Sequence, residues 1–254
     1  MWSIEQPNLY NFVFTLISKK NNKTLDRVKS YGGMRSIEVK KNKVYLNNKP
    51  LYQRLVLDQG FYPDGIWTAP TDKALKNDII LSMKAGFNGA RLHEKVFEDR
   101  FHYWADKLGY ITWAEWGNWG ANENAKGTET AFMHEWPKIV EHLKNHPSII
   151  TWTPFNETNT LECNSQHKKL MRLAYDITKK IDPTRPVNET SGYQHQKTDI
   201  WTVHHYEPNP DKLMKALNPK KGVYRNFPKF EVSYKNQPYI IDEYGGAWWL
   251  PLNI

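Results

Sequence analysis

From Leu51 onward, short apolar runs alternate with longer stretches whose apolar residues recur at helical spacing. The runs predict strands over 52–57, 87–91, 110–114, 149–155, 186–189, 200–205 and 238–243. The stretches between them predict helices over 71–85, 97–108, 128–145 and 164–181. The last helix has the clearest stripe: Leu170, Leu173, Ala174 and Ile177 share a face, and Asp182-Pro183 ends it. Strand and helix in alternation predict a parallel sheet with crossover helices. Seven strands of this kind are read, and no eighth before Ile254.

The first fifty residues read differently. Residues 9–17 are rich in aromatic and β-branched side chains and predict a strand. Lys19-Lys20-Asn21-Asn22-Lys23 is a polar turn, and Thr24 to Ser30 returns as a second strand. Two strands alone are marginally stable, so this apolar face needs a cover. A second hairpin, Ile37–Lys40 with Val44–Leu46, turns at Lys41-Asn42-Lys43.

Composition narrows the class. The chain has 254 residues, 39% of them hydrophobic and 24% charged, which is ordinary for a globular protein with a sizeable core. No apolar run is long enough to span a bilayer. The formal charge of +8 is scattered among lysines and forms no basic stripe, so nucleic acid and membrane are not expected partners. The single cysteine, Cys163, excludes an intramolecular disulfide and has no ligand-spaced neighbour. Met1-Trp2-Ser3-Ile4-Glu5 lacks the features of a secretory leader, which gives a cytoplasmic expectation. Eleven Trp and 14 Tyr supply flat faces on which sugars stack, or simply fill the core.

The chemistry gathers at the strand ends. Asn88, Arg91 and His93 accompany the second strand, and Glu115 and Trp116 the third. Asn156 and Glu157 close the fourth, Glu189 the fifth, His204, His205 and Tyr206 the sixth, and Glu243 and Tyr244 the seventh. In a (β/α)8 barrel the C-terminal strand ends form the active face. One strand-end carboxylate is commonly a helix cap; polar groups at consecutive strand ends are not explained that way. Two glutamates so placed, Glu157 and Glu243, are what a two-carboxylate glycosidase needs, one to protonate the leaving oxygen and one to attack or activate water. The histidines show no short-range metal-ligand spacing, so neither a metal nor another cofactor is expected.

The stretch Lys144-Asn145-His146 through Ile149-Ile150-Thr151-Trp152 to Asn156-Glu157 resembles the acid/base signature of glycoside hydrolase family 2. That family includes β-galactosidases, β-glucuronidases and β-mannosidases. Trp2 through Tyr10 resembles the end of its immunoglobulin-like sandwich, and Asn47-Asn48-Lys49-Pro50 the approach to its first barrel strand. The resemblance implies a TIM (β/α)8-type barrel over 36–254, lacking strand eight, after a remnant sandwich hairpin over 1–35. It implies a retaining mechanism, with Glu157 as acid/base and Glu243 as nucleophile. The Glu243 charge is then expected to help keep Glu157 protonated. Asn156, Arg91, His93, His204, Tyr206 and Trp248 are expected to bind substrate, with Asn156 at the sugar 2-hydroxyl and Tyr206 orienting Glu243.

Two departures bear on specificity. After the second strand the family often has Arg-x-x-His followed by an aromatic and Pro, whereas this chain reads Arg91-Leu92-His93-Glu94-Lys95. The Asn-x-Lys element with which glucuronidases hold the sugar carboxylate is not found, which disfavours β-glucuronides; β-galactosides are the expected substrates, with β-glucuronidase or β-mannosidase as the alternatives among enzymes. A chain cut at both ends is expected to self-associate through open strand edges. The rival reading is a non-catalytic carbohydrate-binding or inactive fragment.

Overall fold

The computed structural model describes residues 1–158 and 163–245. Two antiparallel strands come first, β1 (Tyr10–Ile17) and β2 (Thr24–Gly32). Every residue of β1 and most of β2 are exposed, so the aromatic and β-branched side chains that favour extension here lie open to solvent. The ends of this segment are nevertheless tied down. Buried Trp2 donates its indole N–H to the Asp106 carbonyl (2.8 Å), Tyr31 donates to the Asp106 carboxylate (2.8 Å), and Arg35 donates to the carbonyls of Pro147 (3.0 Å) and Ile149 (2.7 Å).

A small meander follows: β3 (Ile37–Lys40), β4 (Lys43–Leu46) and β5 (Lys49–Pro50). Its Ile37, Val44 and Leu46 pack with Trp2 against Ile111, Trp113, Ile150 and Ile200. Three of those four lie at or beside the starts of later strands, so the meander plugs the lower end of the barrel.

The alternation then begins. β6 (Leu55–Asp58), α1 (Asp72–Lys84), β7 (Gly89–Leu92), α2 (Asp99–Leu108), β8 (Ile111–Glu115), α3 (Lys126–Leu143) and β9 (Ile149–Thr153) give a four-stranded parallel sheet in chain order. β10 (Phe155–Asn156) runs on from β9, and α4 (Ser165–Ile181) leads to its parallel partner β11 (Thr190–Ser191). β12 (Trp201–His205), the short α5 (Pro210–Ala216) and β13 (Tyr239–Tyr244) complete the described part, with β12 and β13 parallel.

Local chemistry sets the helix ends. Thr71 and Asn164 accept backbone N–H bonds at the starts of α1 and α4, and Gly109 ends α2 in the left-handed region (φ 75°) that glycine adopts freely. On β7, Ala90 and Leu92 pack outward on Leu75, Ile79, Phe101 and Ala105. Side chains alternate along a strand, so Gly89 and Arg91 face the barrel axis. A Cβ at Gly89 would lie 2.2 Å from the Ile111 carbonyl oxygen, so β7 and β8 approach this closely only with glycine there.

Two elements depart from the reading of the sequence. The run at 186–189 makes a single bridge, Val187 to Trp152; on its other side the Val187 N–H donates to the Asp199 carboxylate (3.0 Å), and regular pairing resumes at β11. The helix α5 was not anticipated. It buries no residue and so has no apolar stripe; Asn209 capping the Asp211 and Lys212 amides, and Pro210 in the first turn, define it. Among the described residues no ladder joins β6 to β13, and a cavity of about 340 Å³ lies between them, lined by Leu55, Val56, Ile240 and Ile241 among others. The expected lack of an eighth strand concerns in part residues 246–254, which lie outside the described residues. No helix among the described residues is long and apolar enough to cross a membrane.

Candidate active site

Arg91 is the hub of the upper barrel face. Its side chain is 2% exposed, and its Nε donates to Glu115 Oε1. Its Nη1 donates to Glu243 Oε1 (2.7 Å), and its Nη2 reaches Asn156 Oδ1 (2.5 Å) and His93 Nδ1 (3.0 Å). One guanidinium thus spans groups from β8, β10 and β13. A planar fork of five donors suits that task, and a lysine ammonium does not.

Glu157 follows β10 with φ 38°, a left-handed conformation uncommon for a side chain of this size. Its amide donates to the Ser191 carbonyl (3.0 Å), which fixes the turn. Its Oε1 lies 2.6 Å from His204 Nδ1 and accepts a longer bond from the Tyr206 hydroxyl (3.5 Å). The Tyr206 hydroxyl also donates to Glu243 Oε2. Both oxygens of Glu243 therefore accept hydrogen bonds, one from Arg91 and one from Tyr206, and its direction is set.

A register shift places Asp242 and Glu243 together. Val203 pairs with Ile241, but the next residue, His204, pairs with Glu243. Successive side chains of a regular strand point to opposite faces, and the bulge removes that restriction. His204 Nε2 consequently lies 3.3 Å from Asp242 Oδ1 and 3.5 Å from Glu243 Oε1, and Ser191 bridges it (3.0 Å) to Asp242 (2.6 Å). One oxygen or nitrogen each of Glu157, His204 and Glu243 lie within 4.8 Å of one another. Three such donors are of the kind that could hold an ion.

The charges follow from this packing. Burial alone pushes His204 down, but Asp242, Glu157 and Glu243 outweigh it and raise the imidazole to about 9. Burial pushes the Glu157 carboxyl up, and the hydrogen bond and charge of His204, with Tyr193 and Arg91, bring the net direction down. This corrects the expectation that Glu157 is kept protonated by its neighbour Glu243: a cationic histidine on its oxygen acts more strongly. Burial and then the Arg91 charge push His93 down to about 4, leaving a neutral ring whose Nδ1 accepts from Arg91. Burial, then the bond to Glu243, pushes the Tyr206 phenol up, so it stays a proton donor.

The expected residues divide. Arg91, His93, Asn156, Glu157, His204, Tyr206 and Glu243 converge, with His204 buried beneath the two glutamates. Trp248 lies outside the described residues. Asn88 sits at the opposite end, before β7, where its amide serves the backbone of Tyr52 and Arg54 as a neighbouring strand would. Trp116 packs in the core against Phe132 and Phe155. Glu189 is buried on His195 and the amides of Gln196 and Lys197, and His205 turns onto the Tyr224 ring. Ser191, Tyr193, Asp242 and the brace Glu94–Asn118 join the site without having been singled out. Asp242, next to Glu243 in a strand expected to alternate, carried a signal in the reverse sense; Ser191 ends the two-residue strand β11, too short for a period, and the others lie in loops without periodicity.

The family model "Glycosyl hydrolases family 2, TIM barrel domain" matches residues 37–249, and "Glycosyl hydrolases family 2" matches residues 1–35. A protein of Photobacterium profundum named β-galactosidase is 30% identical over 212 residues, covering 78% of this chain and 19% of the relative. One from Leuconostoc mesenteroides, also named β-galactosidase, is 26% identical over 96% of this chain and 23% of its own length. The chain thus spans about a fifth of the length of these curated relatives. Among solved structures, the β-D-glucuronidase of Dictyoglomus thermophilum superposes with a TM-score of 0.77 at 20% identity, over 96% of this chain and 44% of that one. A β-glucuronidase of Bacteroides uniformis gives 0.77 at 22% identity, over 97% and 31%. At such identities the superpositions speak for the fold alone, whereas the family match extends over most of the sequence: the chain belongs to glycosyl hydrolases family 2.

Proposed function

We propose that this chain carries the catalytic centre of a retaining β-glycosidase, with Glu243 as nucleophile and Glu157 as acid/base. The observation that carries the reading is the spacing of the carboxylates, whose nearer oxygens lie within 4.8 Å. Retaining enzymes hold their carboxyl groups about 5–5.5 Å apart, while inverting ones leave about 6.5–9.5 Å for a water. Glu243, aimed by Arg91 and Tyr206, attacks the anomeric carbon and the bond to the leaving oxygen breaks. The leaving oxygen takes a proton from Glu157, and the anomeric carbon remains esterified to Glu243. In the resting site the proton sits on the His204 side and passes along the 2.6 Å hydrogen bond to Glu157 before transfer. Glu157 then removes a proton from water, which attacks the ester and regenerates Glu243, and that proton returns along the same hydrogen bond to His204. Asn156 and neutral His93 supply hydrogen bonds to sugar hydroxyls. Residues 1–35 are assigned to the end of an immunoglobulin-like sandwich and 36–254 to the barrel.

The proposed glycone is β-galactosyl. The sequence relatives that carry a name of this kind support it. So does the state of Arg91 and Lys95, since Arg91 is engaged by Glu115, Glu243 and Asn156, and Lys95 by the carbonyls of Gly60 and Trp67. A glucuronate carboxylate finds neither of these two cations open.

Incubation with a 2-deoxy-2-fluoro-β-galactosyl fluoride tests both points. The expected result is a mass increment of one fluorosugar on the peptide holding Glu243. Azide added to Glu157→Ala is expected to restore turnover of an activated aryl galactoside and yield the β-configured glycosyl azide. Label on another residue, or an α-configured azide, reverses the roles. Faster turnover of the matched aryl glucuronide overturns the glycone.

A further inference from the structure

The segment Arg91-Leu92-His93-Glu94-Lys95, where the chain departs from the family's usual pattern, braces two aromatic loops beside the carboxylate pair. Lys95 is buried and donates to the Gly60 (3.2 Å) and Trp67 (2.8 Å) carbonyls of the loop that follows β6. That loop is further closed by paired Tyr62 and Ile66 amides and carbonyls (2.8 and 2.9 Å) and by Tyr62 donating to Asp78 (2.7 Å). Ile66 adopts φ 56°, strained for a β-branched residue and held by those contacts. Glu94, also at positive φ, accepts the amides of Asn118 (2.7 Å) and Trp119 (2.8 Å) in the loop after β8.

These buried polar anchors hold exposed rings above them. Phe61 and Trp67 stack at 5.9 Å and 17°, yet are 62% and 51% exposed, and Trp119 is 83% exposed. With Gln59, His93 and Glu94 they line a cavity of about 380 Å³. His93 connects this cavity to the reacting centre, lying 3.0 Å from Arg91 and 3.8 Å from Glu243 Oε1. Rings placed for the core would be buried; rings on a braced loop, open to a cavity that His93 links to Glu243, are placed for a ligand with a flat apolar face.

Resting on the retaining-glycosidase reading, we propose that Phe61, Trp67 and Trp119 form a subsite for the leaving group of the substrate. Its ligand is a flat, weakly polar face, either a second sugar ring or an aryl group. Glu94 and Lys95 act as positioning residues that determine specificity there. The hydroxyl-rich glycone lies against the carboxylates, Asn156 and His93, and the group beyond the glycosidic oxygen extends onto the rings.

The test is calorimetric binding of sulfur-linked β-galactosides, which are not turned over: the methyl, the phenyl and a thio-linked disaccharide. The phenyl compound, the disaccharide or both are expected to bind about tenfold tighter than the methyl compound, the scale of well-placed aromatic contacts; which of them does so identifies the ligand. Trp119→Ala and Trp67→Ala are expected to remove that gain and leave methyl binding unchanged. Lys95→Met is expected to reduce the gain without touching the rings; if it does not fold, the two tryptophan variants still decide. Equal affinity for all three compounds, or an undiminished gain in both tryptophan variants, overturns the subsite and leaves the carboxylate assignment standing. No binding of any compound, together with no label on Glu243, overturns both.

Discussion

His204 Nδ1 lies 2.6 Å from Glu157 Oε1, and the same imidazole is held from below by Asp242 and Ser191. A cationic histidine on the proposed acid/base makes the pair, and not the carboxyl alone, the proton store of the site. The histidine, raised to about 9 from 6.5, keeps the proton available well above neutral pH. The basic limb of kcat/KM for a poor leaving group is therefore expected near pH 9. In His204→Gln the proton must reside on Glu157 alone, and the limb is expected to move to lower pH by about two units or more. Dinitrophenyl substrates, which need no proton, should be far less affected in the first step. A pH profile of the variant identical to that of the parent removes His204 from proton transfer. The sign for stability is the same: a raised histidine stabilises fully below its ordinary value near 6.5, and that contribution fades as pH rises through about 9.

Arg91 and Glu115 form a buried pair at 2% and 0% side-chain exposure, with Glu243 on the other end of the same guanidinium. Arg91→Met leaves Glu115 buried without its partner, an arrangement that destabilises by about 3–5 kcal/mol. Replacing both, in Arg91→Met with Glu115→Met, is expected to recover at least half of that loss in thermal unfolding. Activity should remain lost in the double variant, because Glu243 and Asn156 lose the donor that aims them. Recovery of activity together with stability argues against that positioning role.

Asp182 marks the opposite end of the molecule. It closes α4 and takes hydrogen bonds from Trp152 (2.8 Å), Arg185 (2.5 Å) and Thr184 (2.6 Å). Burial pushes its carboxyl up, but Arg185 and these bonds outweigh it and bring it to about 2, below the usual 3.8. A depressed carboxyl stabilises above its unfolded value and loses that contribution as pH falls from about 4 through about 2. The expected contribution at neutral pH is about 2 kcal/mol. Asp182→Asn should lower the melting temperature at pH 7 and narrow the gap from the parent as pH approaches 2. A difference independent of pH would assign the effect to packing instead.

The hairpin of β1 and β2 shows Phe12, Phe14, Leu16, Leu25 and Val28 between 45% and 63% exposed. A contiguous apolar surface of this kind promotes association. Sedimentation velocity at rising concentration is expected to show self-association of this chain, reduced in Phe14→Lys with Leu16→Lys. Since these side chains make no buried core, the melting temperature should change little. A monomer at all concentrations shows that the exposed face does not pair.

The local pattern determined the order of elements. Apolar runs and helical stripes have periods that survive without neighbours, so β7, β8, β9, β12 and β13 and four helices lie within two or three residues of their expected places. The strand-end glutamates were equally legible, because an apolar run ending in Asn-Glu or Asp-Glu must deliver its carboxylate to one end of a parallel sheet. The tertiary structure alone decided what surrounds them. The bulge between Val203 and His204 turns both Asp242 and Glu243 inward, against the alternation that a strand implies. The charge of His204 and the downward shift of Glu157 arise from groups far apart in sequence, and electrostatics follows distance in space. Asn88 and Glu189 looked like site residues because chemistry is read by residue type, yet each satisfies backbone groups elsewhere. Phe61, Trp67 and Trp119 lie in loops without periodicity, and only the folded chain brings Glu94 and Lys95 beneath them.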